Sequence, residues 1–186
     1  VLLLGSEWSV YWPEVAANVA AEVAVLHEAA RRGIPVFGIC FGNQVMAHAF
    51  GGTVERAKQA EVGWYQVDTA VPNTIATGPW LQWHYDIVGV PPGAAELARS
   101  PVGPQAWQLG RMFCTQFHPE ATETMLRRWS VGPGAAELSR IGTSAEELLA
   151  TTRASVLESR PNAERIVDWF CETIVTSEFH DVLNSR

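Results

Sequence analysis

The sequence has no apolar run approaching the roughly 18 residues that a membrane span needs, and its opening Val1-Leu2-Leu3-Leu4 is too short and uncharged for a secretion signal. Basic residues are scarce. Thirteen Lys and Arg against twenty Asp and Glu give a formal charge of −7, which argues against nonspecific nucleic-acid binding. Cysteine is scarce too: three is an odd and small number, so no disulfide framework is expected, and a reducing, cytoplasmic compartment suits a working thiol. No pair of Cys or His stands at metal-ligand spacing and the five histidines are scattered, so no metal or other cofactor is expected. A glycine-rich phosphate loop ending in Lys-Ser/Thr is missing, as are internal repeats and low-complexity tracts. What is present is 186 residues with 47% hydrophobic content, enough for one sizeable core and one domain.

One cysteine has a setting of its own. Ile34-Pro35-Val36-Phe37-Gly38-Ile39 reads as a buried strand, and 43–50 reads as a helix closed by Gly51-Gly52. Cys40 falls on the turn between them, flanked by Gly38 and Gly42. Such a turn lifts its central side chain above the sheet edge, and the glycines permit close backbone approach. The helix start beyond it supplies partial positive charge and free N–H groups, which favour a thiolate and can hold an oxyanion. A thiol nucleophile also needs a base. In Met112-Phe113-Cys114-Thr115-Gln116-Phe117-His118-Pro119-Glu120, Pro119 cannot donate to a ladder and stops the strand, so His118 is expected at its C-terminal end beside Cys40. Glu120 can accept the other imidazole proton and fix the tautomer. The reading is a Cys-His-Glu triad. Cys114 and Cys171, without that context, read as core residues, and His27, His48 and His180 as surface or internally satisfied side chains.

Gly38-Ile39-Cys40-Phe41-Gly42-Asn43-Gln44 resembles the Gly-x-Cys-x-Gly-x-Gln nucleophile elbow of class I (triad-type) glutamine amidotransferases, and Gln116 to Glu120 resembles their His-Pro-Glu element. Glu61-Val62-Gly63-Trp64 is similar to the family's Glu-Ile-Gly-Trp stretch. Trp83-His84-Tyr85-Asp86 is similar to the His-x-Asp stretch of GMP-synthetase-like members that occur as free-standing chains. The resemblance covers about residues 1–128, taken as the amidotransferase domain, with 129–186 as a helical extension packed on it. It implies a flavodoxin-like, doubly wound, mostly parallel sheet.

The resemblance also implies roles. Cys40 attacks the side-chain amide of glutamine, giving a γ-glutamyl thioester and ammonia; His118 moves the protons and Glu120 orients it. The Phe41 N–H supplies half of an oxyanion hole, and the loop at Gly5 and Ser6 supplies the other half. In that loop Gly5 keeps its place, while Ser6 and Glu7 stand where relatives often carry glycine and proline. Gly5, Gln44 and His84 are the expected substrate contacts. Ammonia would pass to an acceptor on a synthetase partner subunit, with no nucleic-acid or membrane partner and with the oligomeric state open. Two alternatives stay open: a γ-glutamyl peptidase using the same three residues, and a noncatalytic regulator that binds a metabolite or partner.

The element pattern fits an α/β fold. Residues 13–32 read as a helix with Val15, Val19, Val23 and Leu26 on one face and Gly33 as its stop. The chain starts without methionine in the strand that feeds Gly5, and the resemblance implies at least one earlier strand that this sequence does not include. Residues 53–116 read as short strands in an antiparallel excursion, including a hairpin of 106–109 with 112–115 across Gly110-Arg111. After Glu120, helices are expected at 121–129, from about Thr143, and from Pro161 to about Ser177. Leu157, Ile166, Trp169, Phe170 and Ile174 are the expected buried anchors.

Overall fold

Two short apolar runs start the fold. In the computed structural model, which describes residues 1–176, strands β1 (Leu2–Leu3) and β2 (Val36–Ile39) lie side by side in parallel, with Leu2 opposite Phe37. A 3-10 turn at Pro13–Val15 and helix α1 (Ala16–Arg31) connect them. Proline suits that first turn, where its missing N–H has no helical partner to lose. Val19, Leu26 and Ala29 form the buried face of α1, as the three- and four-residue steps predict.

β2 turns sharply into helix α2 (Phe41–Ala49), two residues earlier than the sequence pattern suggests. The strands β3 (Thr53–Tyr65), β4 (Asp68–Thr69), β5 (Trp80–Gly89), β6 (Ala95–Arg99), β7 (Pro104–Leu109) and β8 (Met112–Thr115) follow. The main sheet has the order β1-β2-β8-β7-β6-β4. β8 is parallel to β2, while β7, β6 and β4 extend the sheet as the expected antiparallel excursion. The C-terminal ends of β1, β2 and β8 therefore share one edge, where open α/β sheets place their chemistry. The hairpin of β7 and β8 turns at Gly110-Arg111, with Leu109 opposite Met112.

β3 and β5 are a correction to the expected short strands. They span 13 and ten residues and pair as a separate antiparallel ribbon. A bulge between Arg56 and Glu61 shifts the register; the extra residues break the period-two pattern by which a long strand is read.

Alternation along β2 and β8 sends successive side chains to opposite faces. Val36, Met112 and Cys114 pack with Leu26, Val45 and Met46 of α1 and α2. Phe37, Ile39 and Phe113 pack on the other face with Ile166 and Ile174 from the C-terminal region. Helices thus cover both faces, the doubly wound arrangement the resemblance implies.

The C-terminal region contains α3 (Glu123–Trp129), α4 (Pro133–Arg140), α5 (Ala145–Trp169) and a π-helical turn at Phe170–Val175. Thr122 caps α3, and Ser144 with Glu147 forms a reciprocal capping box on α5. The two helices expected after Thr143 are one. α5 runs through Pro161, although proline loses an N–H there. Leu148, Thr152, Ser159 and Ile166 are buried at steps of four and seven, so a single stripe favours continuity over the local break. Leu157 is 71% exposed rather than an anchor, because it sits about 200° around the helix from Ser159. Cys171 is exposed rather than core; the wider π-helical turn buries Ile174 instead. Ser177 and His180 lie outside the described residues. Among the described residues no helix is long and apolar enough to cross a membrane.

Candidate active site

Cys40 carries the strain of the elbow. Its φ of 53° makes it the one non-glycine residue with positive φ among the described residues, a state that costs on the order of 1–3 kcal/mol and persists only where surroundings enforce it. Those surroundings are tight. A Cβ on Gly42 would fall 2.6 Å from the Leu3 carbonyl oxygen, and one on Gly38 would fall 2.6 Å from Met46 Sδ and 2.9 Å from Gly42 backbone. Glycine at both positions lets β1, β2 and α2 meet around the cysteine. The Cys40 N–H donates to Thr115 O at 2.9 Å and its carbonyl accepts from Gln44 N–H at 3.1 Å. The residue is therefore tied to the end of β8 and to the first turn of α2.

His118 arrives from three residues beyond β8. Its N–H donates to Leu81 O at 2.9 Å, clamping the segment to β5. Its side chain is 4% exposed, and Nδ1 lies 2.7 Å from Glu120 Oε1. With Nδ1–H donating to that carboxylate, Nε2 is the nitrogen left for the thiol. Burial pulls the imidazole's pKa down, but the charge and hydrogen bond of Cys40, followed by those of Glu120, outweigh it and push it up to about 10. An imidazolium is thus favoured beside the sulfur.

Gly5 closes the third side. A Cβ there would stand 3.1 Å from His118 Cε1, 3.4 Å from Cys40 Cβ and 3.8 Å from Cys40 Sγ, so the β1 loop passes directly over both groups. Phe41 begins α2, and its N–H has no preceding helical turn to bond it. Gln44 is buried on the first turn of α2, and its Oε1 has no hydrogen-bond partner among the described residues. Ser6 is exposed, its Oγ accepting from Trp8 N–H at 3.3 Å. His84 is brought near but faces inward from β5: its Nδ1–H donates to Asp86 O at 3.0 Å and Nε2 lies 3.1 Å from Glu61 Oε2. Its neighbour Trp83 reaches the site instead, with its carbonyl oxygen 3.9 Å from Cys40 Sγ.

Several contributors escaped the sequence reading. The Trp129 ring sits edge-on to His118 at 5.0 Å and to Trp83 at 5.9 Å, roofing the imidazole. Beneath the elbow, Asn43 Nδ2 donates to Gln116 Oε1 at 2.9 Å, and Asn43 Oδ1 accepts from Trp107 Nε1–H at 2.6 Å. Asn43 and Gln116 lie inside the two motifs, which was the available signal; Trp129 had none. Cys114 is fully buried, 3.5 Å from Met46 Sδ, and burial pushes its thiol well above the usual range, so it stays protonated and unreactive.

The family model for class I glutamine amidotransferases matches residues 13–128. The glutamine-hydrolysing GMP synthase of Aeropyrum pernix is 34% identical over 168 residues, covering 82% of this chain and 30% of that protein. The one from Stenotrophomonas maltophilia is 37% identical over 119 residues, covering 53% of this chain and 23% of that protein. The chain thus spans less than a third of the length of these relatives. The crystal structure of a glutamine amidotransferase from Thermotoga maritima superposes with a TM-score of 0.81 at 25% identity, covering 92% of this chain and 78% of that one. A glutamine amidotransferase from Methylobacillus flagellatus gives 0.76 at 25% identity, covering 91% and 74%. With its elbow, its sheet and these matches in agreement, the chain belongs to the class I glutamine amidotransferase family and is similar to the GMP synthases within it.

Proposed function

We propose that the chain hydrolyses the side-chain amide of glutamine through a γ-glutamyl thioester on Cys40. The observation that carries this is the meeting of a strained, buried cysteine with an imidazole that is itself held by a carboxylate. The thiolate attacks the amide carbon, and the negative charge on the carbonyl oxygen is met by the Phe41 N–H and by an N–H of the Gly5-Ser6 loop. The imidazolium of His118 protonates the departing ammonia, then takes a proton from the water that attacks the thioester. Glu120 keeps Nδ1 protonated throughout. Gln44, with its unpaired buried oxygen, and Gly5, which leaves room over the sulfur, serve as substrate contacts. His84, engaged with Asp86 and Glu61, acts from behind Trp83 rather than on substrate.

Trp129 and Trp83 favour ammonia over a bulkier leaving amine, because the leaving group must sit beside the imidazole that Trp129 already crowds. This supports an amidotransferase over a γ-glutamyl peptidase. Relatives named as GMP synthases are more than twice as long by coverage, and a synthetase partner that receives the ammonia is the corresponding proposal. The helical extension belongs in this reading to the same domain through its described part, 129–176, anchored by Ile166 and Ile174.

The test is release of glutamate and ammonia from glutamine, compared with γ-glutamyl dipeptides, by the wild type and by Cys40→Ala. Glutamine turnover lost in the variant supports the proposal. Turnover that survives in Cys40→Ala overturns it, and preference for the dipeptides overturns the leaving-group reading.

A further inference from the structure

The loop that carries Gly5 over Cys40 and His118 has Ser6 and Glu7 after it, neither of which stiffens a backbone. Its own bonds are local: Trp8 N–H donates to Ser6 Oγ, and Trp12 N–H donates to Ser9 O at 3.0 Å. What ties it to the body of the protein by side-chain hydrogen bonds is Asp86. The Ser9 hydroxyl donates to Asp86 Oδ2, and the Tyr11 hydroxyl donates to Oδ1 at 2.8 Å. Arg56 Nη1 stands 3.7 Å from the same oxygen. Asp86 is only 3% exposed, so a carboxylate kept there must find its compensation in these groups.

Asp86 is in turn anchored. Its carbonyl accepts from His84 Nδ1–H, and His84 Nε2 lies against Glu61 Oε2, which also accepts from Ser100 Oγ at 3.0 Å and Gln105 Nε2 at 2.9 Å. A buried polar network on the β3 and β5 ribbon therefore ends in one carboxylate that grips two hydroxyls of the β1 loop. The two ends are 75 and 77 residues apart in sequence.

We propose that Asp86 is a positioning residue for the oxyanion side of the site: by holding Ser9 and Tyr11 it sets how closely the Gly5-Ser6 backbone approaches Cys40, without touching substrate. The inference rests on the reading of Cys40 as nucleophile. It separates two reactions of the same sulfur. Acylation by glutamine builds a tetrahedral intermediate whose oxyanion needs the loop, whereas alkylation by iodoacetamide displaces iodide at a saturated carbon and needs no oxyanion donor.

The experiment measures both reactions in the full chain for the wild type, Asp86→Ala, Asp86→Asn, Ser9→Ala and Tyr11→Phe. Loss of a well-placed oxyanion donor lowers kcat by about 100-fold or more, so Asp86→Ala is expected to lose about 10- to 100-fold in kcat. KM should change by less than about threefold, and Cys40 alkylation should stay within about twofold of wild type. Asp86→Asn, which can still accept one hydroxyl, is expected to retain part of the activity. The single hydroxyl deletions should each reproduce part of the loss; each removes only one oxygen and keeps the test valid if Asp86→Ala fails to fold. Wild-type kcat in Ser9→Ala and Tyr11→Phe overturns the proposal, as does a parallel fall of alkylation and turnover, which would mean a general collapse of the site. If wild-type Cys40 is alkylated but glutamine turnover does not pass through it, the parent reading fails, and that outcome is distinct because no variant is needed to see it.

Discussion

Gly5→Ala separates chemistry from stability better than any other single change at this site. Gly5 does not occupy the left-handed region, so alanine strains no backbone there. Its effect comes from one new methyl group, placed 3.1 Å from His118 Cε1 and 3.4 Å from Cys40 Cβ. Contacts of that length oblige a neighbour to give by a few tenths of an ångström. The imidazole has little room, held by Glu120 at 2.7 Å and edge-on against Trp129, and the loop itself is gripped by Asp86. A displacement of about 1 Å at a reacting group costs roughly 100-fold, so a few tenths should cost about 3- to 30-fold in kcat, about 0.6–2 kcal/mol in the barrier. The global stability should fall by less than about 1 kcal/mol, because the surrounding core is untouched. Glutaminase kinetics beside urea denaturation read the two effects independently. Wild-type kcat in a folded Gly5→Ala protein would refute the placement of the loop over the imidazole.

Three further outcomes are expected. Cys40→Ala should abolish acyl-enzyme in acid-quenched mass spectra, while Cys114→Ala and Cys171→Ala leave it largely intact, since one thiol is sealed in the core and the other lies on the surface; adduct loss in Cys114→Ala would contradict this. The His118 ring protons, followed by NMR, should report an imidazolium that persists to about pH 10, and Cys40→Ala and Glu120→Gln should each lower that midpoint. Because the folded value lies above the ordinary one near 6.5, the stability from this group is full below about pH 6.5 and is lost as pH rises through about 10; a wild-type midpoint near 6.5 would contradict the arrangement. Gly42→Ala should destabilise by about 1–3 kcal/mol or more by denaturant melting, because its Cβ would sit 2.6 Å from the Leu3 carbonyl oxygen in the backbone of β1.

The site was more legible than its supports. Cys40, Phe41 and Gln44 lie within five residues of one strand-to-helix turn, and His118 and Glu120 lie two apart at a proline-stopped strand end, so local rules apply to them. The hairpin at Gly110-Arg111 was legible for the same reason. Long-range pairings were not. Nothing local says that Ser9 and Tyr11 meet Asp86, or that Trp107 reaches Asn43. Pro161 misled because a breaker acts on one turn, whereas the stripe from Leu148 to Ile166 spans five turns and is decided by packing. Cys171 was read as core with the apolar residues between Ile166 and Ile174, on a 3.6-residue period that the π-helical turn abandons.

The central claim is that Cys40 is the nucleophile of a glutamine pocket. Its most direct test is intact-mass and peptide-level spectrometry of the chain after treatment with a glutamine-mimicking diazo-ketone, with free glutamine as competitor. The account predicts a single adduct on Cys40, suppressed by glutamine and absent in Cys40→Ala. An adduct on Cys114 or Cys171, or labelling of Cys40 that glutamine does not suppress, would contradict it.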